Sequence, residues 1–552
     1  MRKHIWLLCC ILLLILVGCT QEPQGSSSAP TIIPGTVPTS PETQPQAPDP
    51  APTFSPEGNF HNKDILVELR TETNAQIYYT TDGSEPDRSS TLYDGSGIPI
   101  FWSRTNLLQA HTIKAKAFYE DGTESPVAVH TYFCIKKVDQ RFTTAIFSIS
   151  ADPALLTEGP DGIFYGQNYT LRGDASERPV YLQAWNTDGE LILSQACGVR
   201  IYGGASRGNA VKSMKLYARK RYDPSQGKFD IDLFSTPVEN SSDAVIGEYD
   251  KLVLRNAGND YGYAHIRDEL CHTLAMDAGF TDYEAVVPAV CFLNGEYYGL
   301  FWLHESYCDD YFKEKYPNKY AEGDFEVIEG SDMEKETDPD GGKEVYAKEF
   351  NALYQEFVDA DLTDDQVFNR FCKKIDVENY LDYFAFNIFI NNKDWPQNNF
   401  KCYRYCGADA SRFTGVYDGR WRFLLHDMDY SFWLYQEDVV AASYNNLEEI
   451  LTPGTLRYSP LFSNLMNRKD CRDYFRAKIQ ELAEGALSAD NVFSRLSALD
   501  QARAAEYDIF RKVLGKDENH MAHQLNVISS FARVRCNYML KFVDVVFSRY
   551  DT

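Results

Sequence analysis

An aspartate at position 394, an asparagine five residues on at 399 and a second aspartate at 427 form the most chemically specific pattern in this 552-residue chain. The first two lie in Asn391-Asn-Lys-Asp394-Trp-Pro-Gln-Asn398-Asn399-Phe400, the third in Trp421-Arg-Phe-Leu-Leu-His-Asp427-Met-Asp429. One carboxylate can take the proton of an attacking hydroxyl. A second carboxylate and an amide oxygen can hold a hard divalent cation against phosphate oxygens. Asp-x4-Asn, then a strand ending in Asp, is the order expected for phosphoryl transfer, a reaction that depends on positioning and neutralised charge. Asp-x-Asp by itself would say little, because paired acids often cap turns.

Three segments upstream suit the same chemistry. In Arg200-Ile-Tyr-Gly-Gly-Ala-Ser206-Arg207-Gly-Asn-Ala-Val-Lys212-Ser-Met-Lys215-Leu-Tyr217 a strand enters a glycine turn and a second strand leaves it. Glycine lets a backbone approach phosphate closely, although the Gly-Lys-Ser/Thr of a Walker loop is missing. Extended alternation puts Lys212 with Met214, Leu216 and Ala218, and Lys215 with Ser213, Tyr217 and Arg219. A lysine on the apolar face needs an acid or a phosphate beside it; the alternative is a surface lysine at a strand start. Leu254-Arg-Asn-Ala-Gly-Asn-Asp260 then leads to a helix near His265, with Arg267, Asp268 and Glu269 in its first turns and Leu270, Leu274 and Ala278 along its buried side. An acid of this helix is expected to pair with Lys212, unless the turn is simply solvated and favoured by the helix dipole. Residues 286–305 read as a hairpin turning at Asn294-Gly295 and ending in Glu305.

The elements that must position these groups divide the chain. Four alternating segments, at 65–70, 76–80, 112–119 and 127–133, are separated by Asp-Gly turn signals and predict a small antiparallel β-sandwich over 54–136. From 139 to the end the reading is an α+β body of two lobes around a cleft. Its mostly β lobe covers 139–304, with strands at 144–149, 179–185, 194–201 and 213–217. Its mostly helical lobe covers 305–552 and contains a buried helix through 383–390.

Ahead of both domains, Arg2 and Lys3 precede an apolar run at 5–17 and Leu16-Val-Gly-Cys19. The run is short of the roughly 20 residues a spanning helix needs, so residues 1–18 read as a secretory signal. Leu-Val-Gly-Cys resembles a bacterial lipobox, in which Cys19 would carry lipid and hold the protein at the outer membrane face. Residues 19–53, rich in Pro, Ser, Thr and Gln, predict a disordered tether. Net charge is −26; it argues against nucleic acid as a partner, and no basic stripe with interleaved aromatics is evident. Of 13 cysteines, ten lie beyond Cys19, with neither Cys-x-x-Cys nor zinc spacing. Buried free thiols are expected, and a catalytic cysteine is not.

Two resemblances follow from these residues. Ile77-Tyr-Tyr-Thr-Thr-Asp-Gly-Ser-Glu-Pro86 with Thr112-Ile-Lys-Ala-Lys-Ala-Phe118 is similar to fibronectin-associated or chitobiase C-terminal-like modules. That implies an accessory domain, in which Tyr78, Tyr79 or Trp102 could meet carbohydrate, though core packing is the stronger reading for them. Ser206-Arg207…Lys212-Ser213, the hairpin ending in Glu305, Asp394…Asn399, Asp427-Met-Asp429 and Phe531-Ala-Arg-Val-Arg-Cys-Asn-Tyr-Met539 resemble the CotH (spore-coat protein H) kinase-like family. The resemblance implies a two-lobed atypical protein kinase using ATP and Mg2+ or Mn2+ on Ser or Thr of protein substrates. It implies that Ser206, Arg207 and Lys212 serve the phosphates, that Asp268 or Glu269 orients Lys212, and that Glu305 lies at the adenine end. It implies Asp394 as the base, Asn399 and Asp427 as metal ligands, Asn398 as a competing ligand and Asp429 as a supporting one. The lipobox and sandwich depart from spore-coat members and point to a protein substrate at the cell surface. A non-catalytic surface scaffold or adhesin and a two-carboxylate carbohydrate-active enzyme remain the competing readings.

Overall fold

The computed structural model describes residues 50–72, 74–102, 109–134, 142–330, 343–435, 442–454 and 458–550. The signal segment, Cys19 and nearly all of the tether lie outside them. No helix among the described residues is long and apolar enough to cross a membrane.

The first module packs a three-stranded sheet (Thr53–Ser55, Ile65–Arg70, Ile98–Ile100) on a five-stranded one (Phe60–His61, Ala128–Cys134, His111–Phe118, Gln76–Thr80, Thr91–Leu92). Inward residues at period two, Val67 and Leu69 against Ile113, Ala115 and Tyr132, form its core. Tyr79 packs on that core, Tyr78 meets Phe118 edge-on at 5.4 Å, and Trp102 is half-buried. The module is seated on the next domain. Ala110 N–H donates to Gly295 O at 2.7 Å, and Phe133 lies 5.2 Å from Trp185 and 5.3 Å from Phe292. Gly295 has φ +87°, and a Cβ there would come within 2.5 Å of Ala110 O. The turn glycine therefore serves both the hairpin and the docking.

The second domain begins with seven strands: β1 (Ala145–Ser150), β2 (Arg178–Trp185), β3 (Leu191–Ile201), β4 (Met214–Tyr217), β5 (Lys251–Arg255), β6 (Val286–Leu293) and β7 (Glu296–His304). They close into a barrel in the order β2-β3-β4-β5-β7-β6-β1. Closure comes from the parallel pairing of β6 with β1, Ala289 opposite Ala145 through Leu293 opposite Ile149. Val199, Ile201, Met214, Leu216, Leu252 and Leu254 face its core. The residues between them face outward in register. Arg200 sits opposite Lys215, Lys215 opposite Val253, and Val253 opposite His304. Between β5 and β6 runs helix α1 (Arg267–Asp277), buried on nearly every side, its first-turn acids included. The solvated-turn alternative is thereby excluded.

The larger lobe has its own apolar core. Helix α2 (Val377–Ile390) is apolar almost all round, as an enclosed helix must be. Asn391, left-handed at φ 56°, ends it. Strands β8 (Phe325–Gly330), β9 (Phe400–Tyr405) and β10 (Arg422–Phe423) form a sheet in that order. Residues 421–425 are all buried. Trp421, Phe423 and Leu425 enter the helical core while Leu424 enters the barrel core, because the segment runs between the two. Helices α3 (Ala489–Val513) and α4 (Glu518–Phe547) close the chain. The ten described cysteines form no disulfide with one another.

Arg535 of α4 ties this lobe together. Its buried guanidinium donates to the carbonyls of Ile388, Phe389, Ala442 and Tyr444 and to Asn446 Oδ1, all within 2.7–2.9 Å. It thus serves carbonyls at the end of α2, just ahead of the 391–399 loop. Arg535→Met strands these acceptors, and a loss of about 3 kcal/mol is expected from urea unfolding. An unchanged unfolding midpoint would show that other donors replace it.

Candidate functional site

The loop after α2 brings its amides onto its acid. Asn398 Nδ2 donates to Asp394 Oδ1 at 2.6 Å, and Asn399 Nδ2 to Asp394 Oδ2 at 3.1 Å and to the Asp427 carbonyl at 3.3 Å. Asn399 and Asp427 are both left-handed, at φ 57° and 51°. Such backbone is uncommon outside glycine, tolerable for Asn and Asp, and often found where side chains are aimed for function. Burial raises the pKa of Asp394, the Asn398 amide opposes that rise, and the neighbouring Asp427 adds to it. Asp394, Asn398, Asn399 and Asp427 therefore converge, as their spacing suggested.

The cation opposite them is Arg255, at the end of β5. Its Nη2 donates to Asp427 and, at 3.0 Å, to Asp429, while its Nε lies 3.1 Å from Asp268 Oδ2 of α1. Asp268 also accepts from Met428 N–H at 2.6 Å. Burial alone would raise Asp268, and Arg255 holds it below the ordinary value. Asp429 is further bound by Asn259, through its N–H at 2.7 Å and its Nδ2 at 3.2 Å.

Lys212 does not take the expected place. Its ammonium donates to the carbonyls of Arg207 at 2.9 Å and Asn209 at 2.8 Å and lies 4.4 Å over Tyr169. Arg207 is likewise bound to the carbonyls of Ile201, Gly203, Tyr169 and Leu171. Both cations brace the glycine loop from within. The reason is local: Lys212 lies before β4 begins at Met214, so strand alternation does not govern it. Ser206 stands in that loop, and a Cβ on Gly203 would fall 2.5 Å from its hydroxyl. Glu305 is also turned to the protein. It accepts from Ala285 N–H at 2.9 Å and Tyr249 Oη at 3.2 Å, and burial lifts it to about 7.

Sequence reasoning passed over two outward-facing cations, Arg255 and Lys215. The alternation in Lys251-Leu-Val-Leu-Arg255 and its position just before the acid-bearing helix were the available signal. Lys215 is half-buried, and its ammonium, 5.8 Å from the Tyr202 ring, hydrogen-bonds to none of the described residues. Burial, with Lys251 nearby, lowers it to about 8, against the opposing pull of Glu329.

A third omission is His304. Its Nε2 meets Glu269 Oε1 and its Nδ1 meets Glu284 Oε2, each at 3.2 Å. Burial would lower this imidazole, but the two carboxylates hold it up at about 9. Asp268, His272 and His304 each place one potential ligand atom within 4.8 Å of the others. Their bonds oppose a cation at that point. Both His304 nitrogens face carboxylates as donors, and His272 Nδ1 accepts from Glu284 N–H at 3.2 Å, which leaves the proton on Nε2.

Helix α3 brackets α1. Arg495 binds Asp277 through Nε at 2.8 Å and Nη2 at 2.5 Å at one end. Arg503 binds the Ala264 and His265 carbonyls at the other.

The sequence model for the CotH kinase protein matches residues 199–539, from β3 into α4, and includes Arg255, Asp268, Asp394, Asn399 and Asp427. The chain belongs to the CotH kinase family. In kinase-type sites a strand cation pairs with a helix acid beside the metal-binding Asp. In this CotH-family chain a strand cation, Arg255, pairs with a helix acid, Asp268, and with Asp427. Residues 56–130 match the chitobiase/beta-hexosaminidase C-terminal domain, a module compatible with carbohydrate contact. No curated protein matches the chain.

His304 yields a pH prediction. Its folded pKa of about 9 exceeds the ordinary 6.5, so its stabilisation is full below about 6.5 and is lost as pH rises through about 9. Urea midpoints should fall across that window, and His304→Gln should flatten that part of the fall. Parallel profiles for parent and variant would mean that His304 is not charged in the fold.

Proposed function

We propose that this protein is a metal-dependent atypical protein kinase at the outer membrane face, transferring the γ-phosphate of ATP to Ser or Thr of surface proteins. The observation that carries the reading is a charge imbalance. Asp268, Glu269, Glu284, Asp394, Asp427 and Asp429 crowd a site whose bonded cations are Arg255 and His304. Carboxylates in that excess call for a divalent cation. Asp427 and the amide oxygen of Asn399, whose nitrogen is already committed, are a hard-oxygen set suited to Mg2+ or Mn2+.

ATP would supply the phosphoryl group and a good leaving group; the chain supplies placement and proton transfer. Arg255, fixed by Asp268, offers fork-shaped positive charge beside Asp427. Lys215, on the outward face of β4, is suited to a phosphate oxygen. Asp394, held by two amides and raised by burial, accepts the hydroxyl proton as the oxygen bonds to phosphorus. Lys212, Arg207 and Ser206 shape the glycine loop rather than carry charge to the ligand.

The two aspartates should fail differently. Asp427→Asn should weaken metal-dependent nucleotide binding in calorimetry. Asp394→Asn should bind nearly as the parent does but transfer phosphate about 10²–10⁴-fold more slowly in a radiolabel assay. Equal binding by parent and Asp427→Asn, with and without metal, would defeat the assignment. Binding by the parent without transfer to protein, peptide or itself would favour the scaffold reading. Anchoring is tested separately: Cys19→Ala should free the protein from membranes or leave it unprocessed, and normal fractionation and cleavage of the variant would refute the lipid anchor.

A further inference from the structure

Between residues 199 and 228 the chain carries eight basic side chains and one acidic one, against a net charge of −26 overall. The basic stripe that seemed missing is therefore present, and Tyr202, Tyr217 and Tyr222 lie within it. Part of it forms a cluster around Glu177. Arg200 Nε donates to the Glu177 carboxylate at 2.7 Å, Tyr222 Oη donates to the same carboxylate at 2.9 Å, Arg219 Nε lies 3.1 Å from it, and Arg221 also bonds to it. Asp174 bonds to Arg200 and Arg221 as well, and lies 3.7 Å from Arg219. The Tyr217 ring lies 4.5 Å from the Arg200 guanidinium and 4.9 Å from that of Arg219.

Glu177 is fully buried, whereas the Arg219 and Arg221 side chains keep 29% and 45% of their exposure. A Cβ on Gly198 would come within 2.5 Å of the Glu177 carboxylate, so glycine makes the space in which that acid gathers the arginines. Three guanidiniums meet two carboxylates, and exposed Lys220 adds a further positive charge. Arginines already held by a buried acid lose little side-chain entropy on binding again, and their forks match carboxylates. Arg200 faces Lys215 across the register, so the cluster continues the outward face that carries Lys215 and Arg255.

We infer that the Arg219-Lys220-Arg221 cluster is a docking surface for an acidic polypeptide segment, a recognition site for the protein substrate separate from the Asp394 and Asp427 carboxylates. A short acidic segment fits a local patch. A long polyanion such as nucleic acid would extend into the repulsive field of a chain of net charge −26. The inference extends the kinase reading, but its binding test does not require turnover.

Fluorescence anisotropy of the purified full chain, with a labelled Asp/Glu-rich peptide and its Asn/Gln counterpart, tests it. The acidic peptide should bind at least about tenfold tighter, and binding should weaken as salt shortens the screening length. Lys220→Glu/Arg221→Gln should remove the preference while nucleotide binding stays near the parent's. Lys220→Glu, at an exposed position with no structural bond, should lose part of it even if the double variant misfolds. Equal binding of the two peptides, or full acidic-peptide binding by Lys220→Glu and the double variant, overturns the proposal. So does binding of single-stranded DNA or phosphatidylglycerol vesicles in preference to the acidic peptide. Loss of nucleotide binding by the parent would count against the kinase reading and leave the docking result standing.

Discussion

Arg255 sits where three separately encoded segments meet: the end of a barrel strand, the first turn of α1 and the Asp427-Met-Asp429 loop of the larger lobe. Its guanidinium is buried, and so are the carboxyl groups of Asp268 and Asp429. Groups like these are tolerated inside a protein only when each has its partner, and removal of one leaves the others uncompensated. The relative placement of the lobes at the site, the inward seat of α1 and the direction of the Asp427 carboxylate thus depend on one another. The left-handed backbone at Asp427 and Asn399 belongs to the same constraint: Asn399 reaches the acid at 394 and the Asp427 carbonyl, while the Asp427 carboxylate meets Arg255.

The remainder of the fold holds these parts still. Helix α3 binds α1 at both ends, through Asp277 and through the 264–265 carbonyls. The chain therefore carries its own brace for the helix that presents Asp268. Arg535 serves a comparable purpose at the end of α2. His304, charged between Glu269 and Glu284, links α1 to β7 and to the segment before β6. A single apolar contact surface would allow sliding among these elements; directional bonds from buried cations to carbonyls and carboxylates do not.

The amino-terminal module adds position more than chemistry. Its Tyr78 and Tyr79 have packing partners within the sandwich, and its last strand seats Phe133 on the barrel. With the module docked on the β6–β7 turn through Gly295, its placement is set by backbone contact with the barrel.

Much of this was legible in local patterns. Ile65–Arg70 and Gln76–Thr80 follow directly from period-two alternation, the Asn294-Gly295 hairpin from its turn chemistry, and α2 from a near-continuous apolar run. The Asp394-to-Asn399 spacing also sufficed, because both residues share one short loop whose geometry is set by nearby residues. Tertiary structure decided the rest. Lys212 and Arg255 are equally plausible phosphate cations on paper, but Lys212 belongs to a loop whose own carbonyls satisfy it, while Arg255 emerges from a strand opposite acids 13, 172 and 174 residues away. Barrel closure rests on a parallel pairing of β1 with β6 across more than a hundred residues. The charge on His304 depends on carboxylates brought from two other segments. Periodicity reports which face of an element is apolar; which distant charge meets that element is settled only when packing removes water and every buried ion must find a partner.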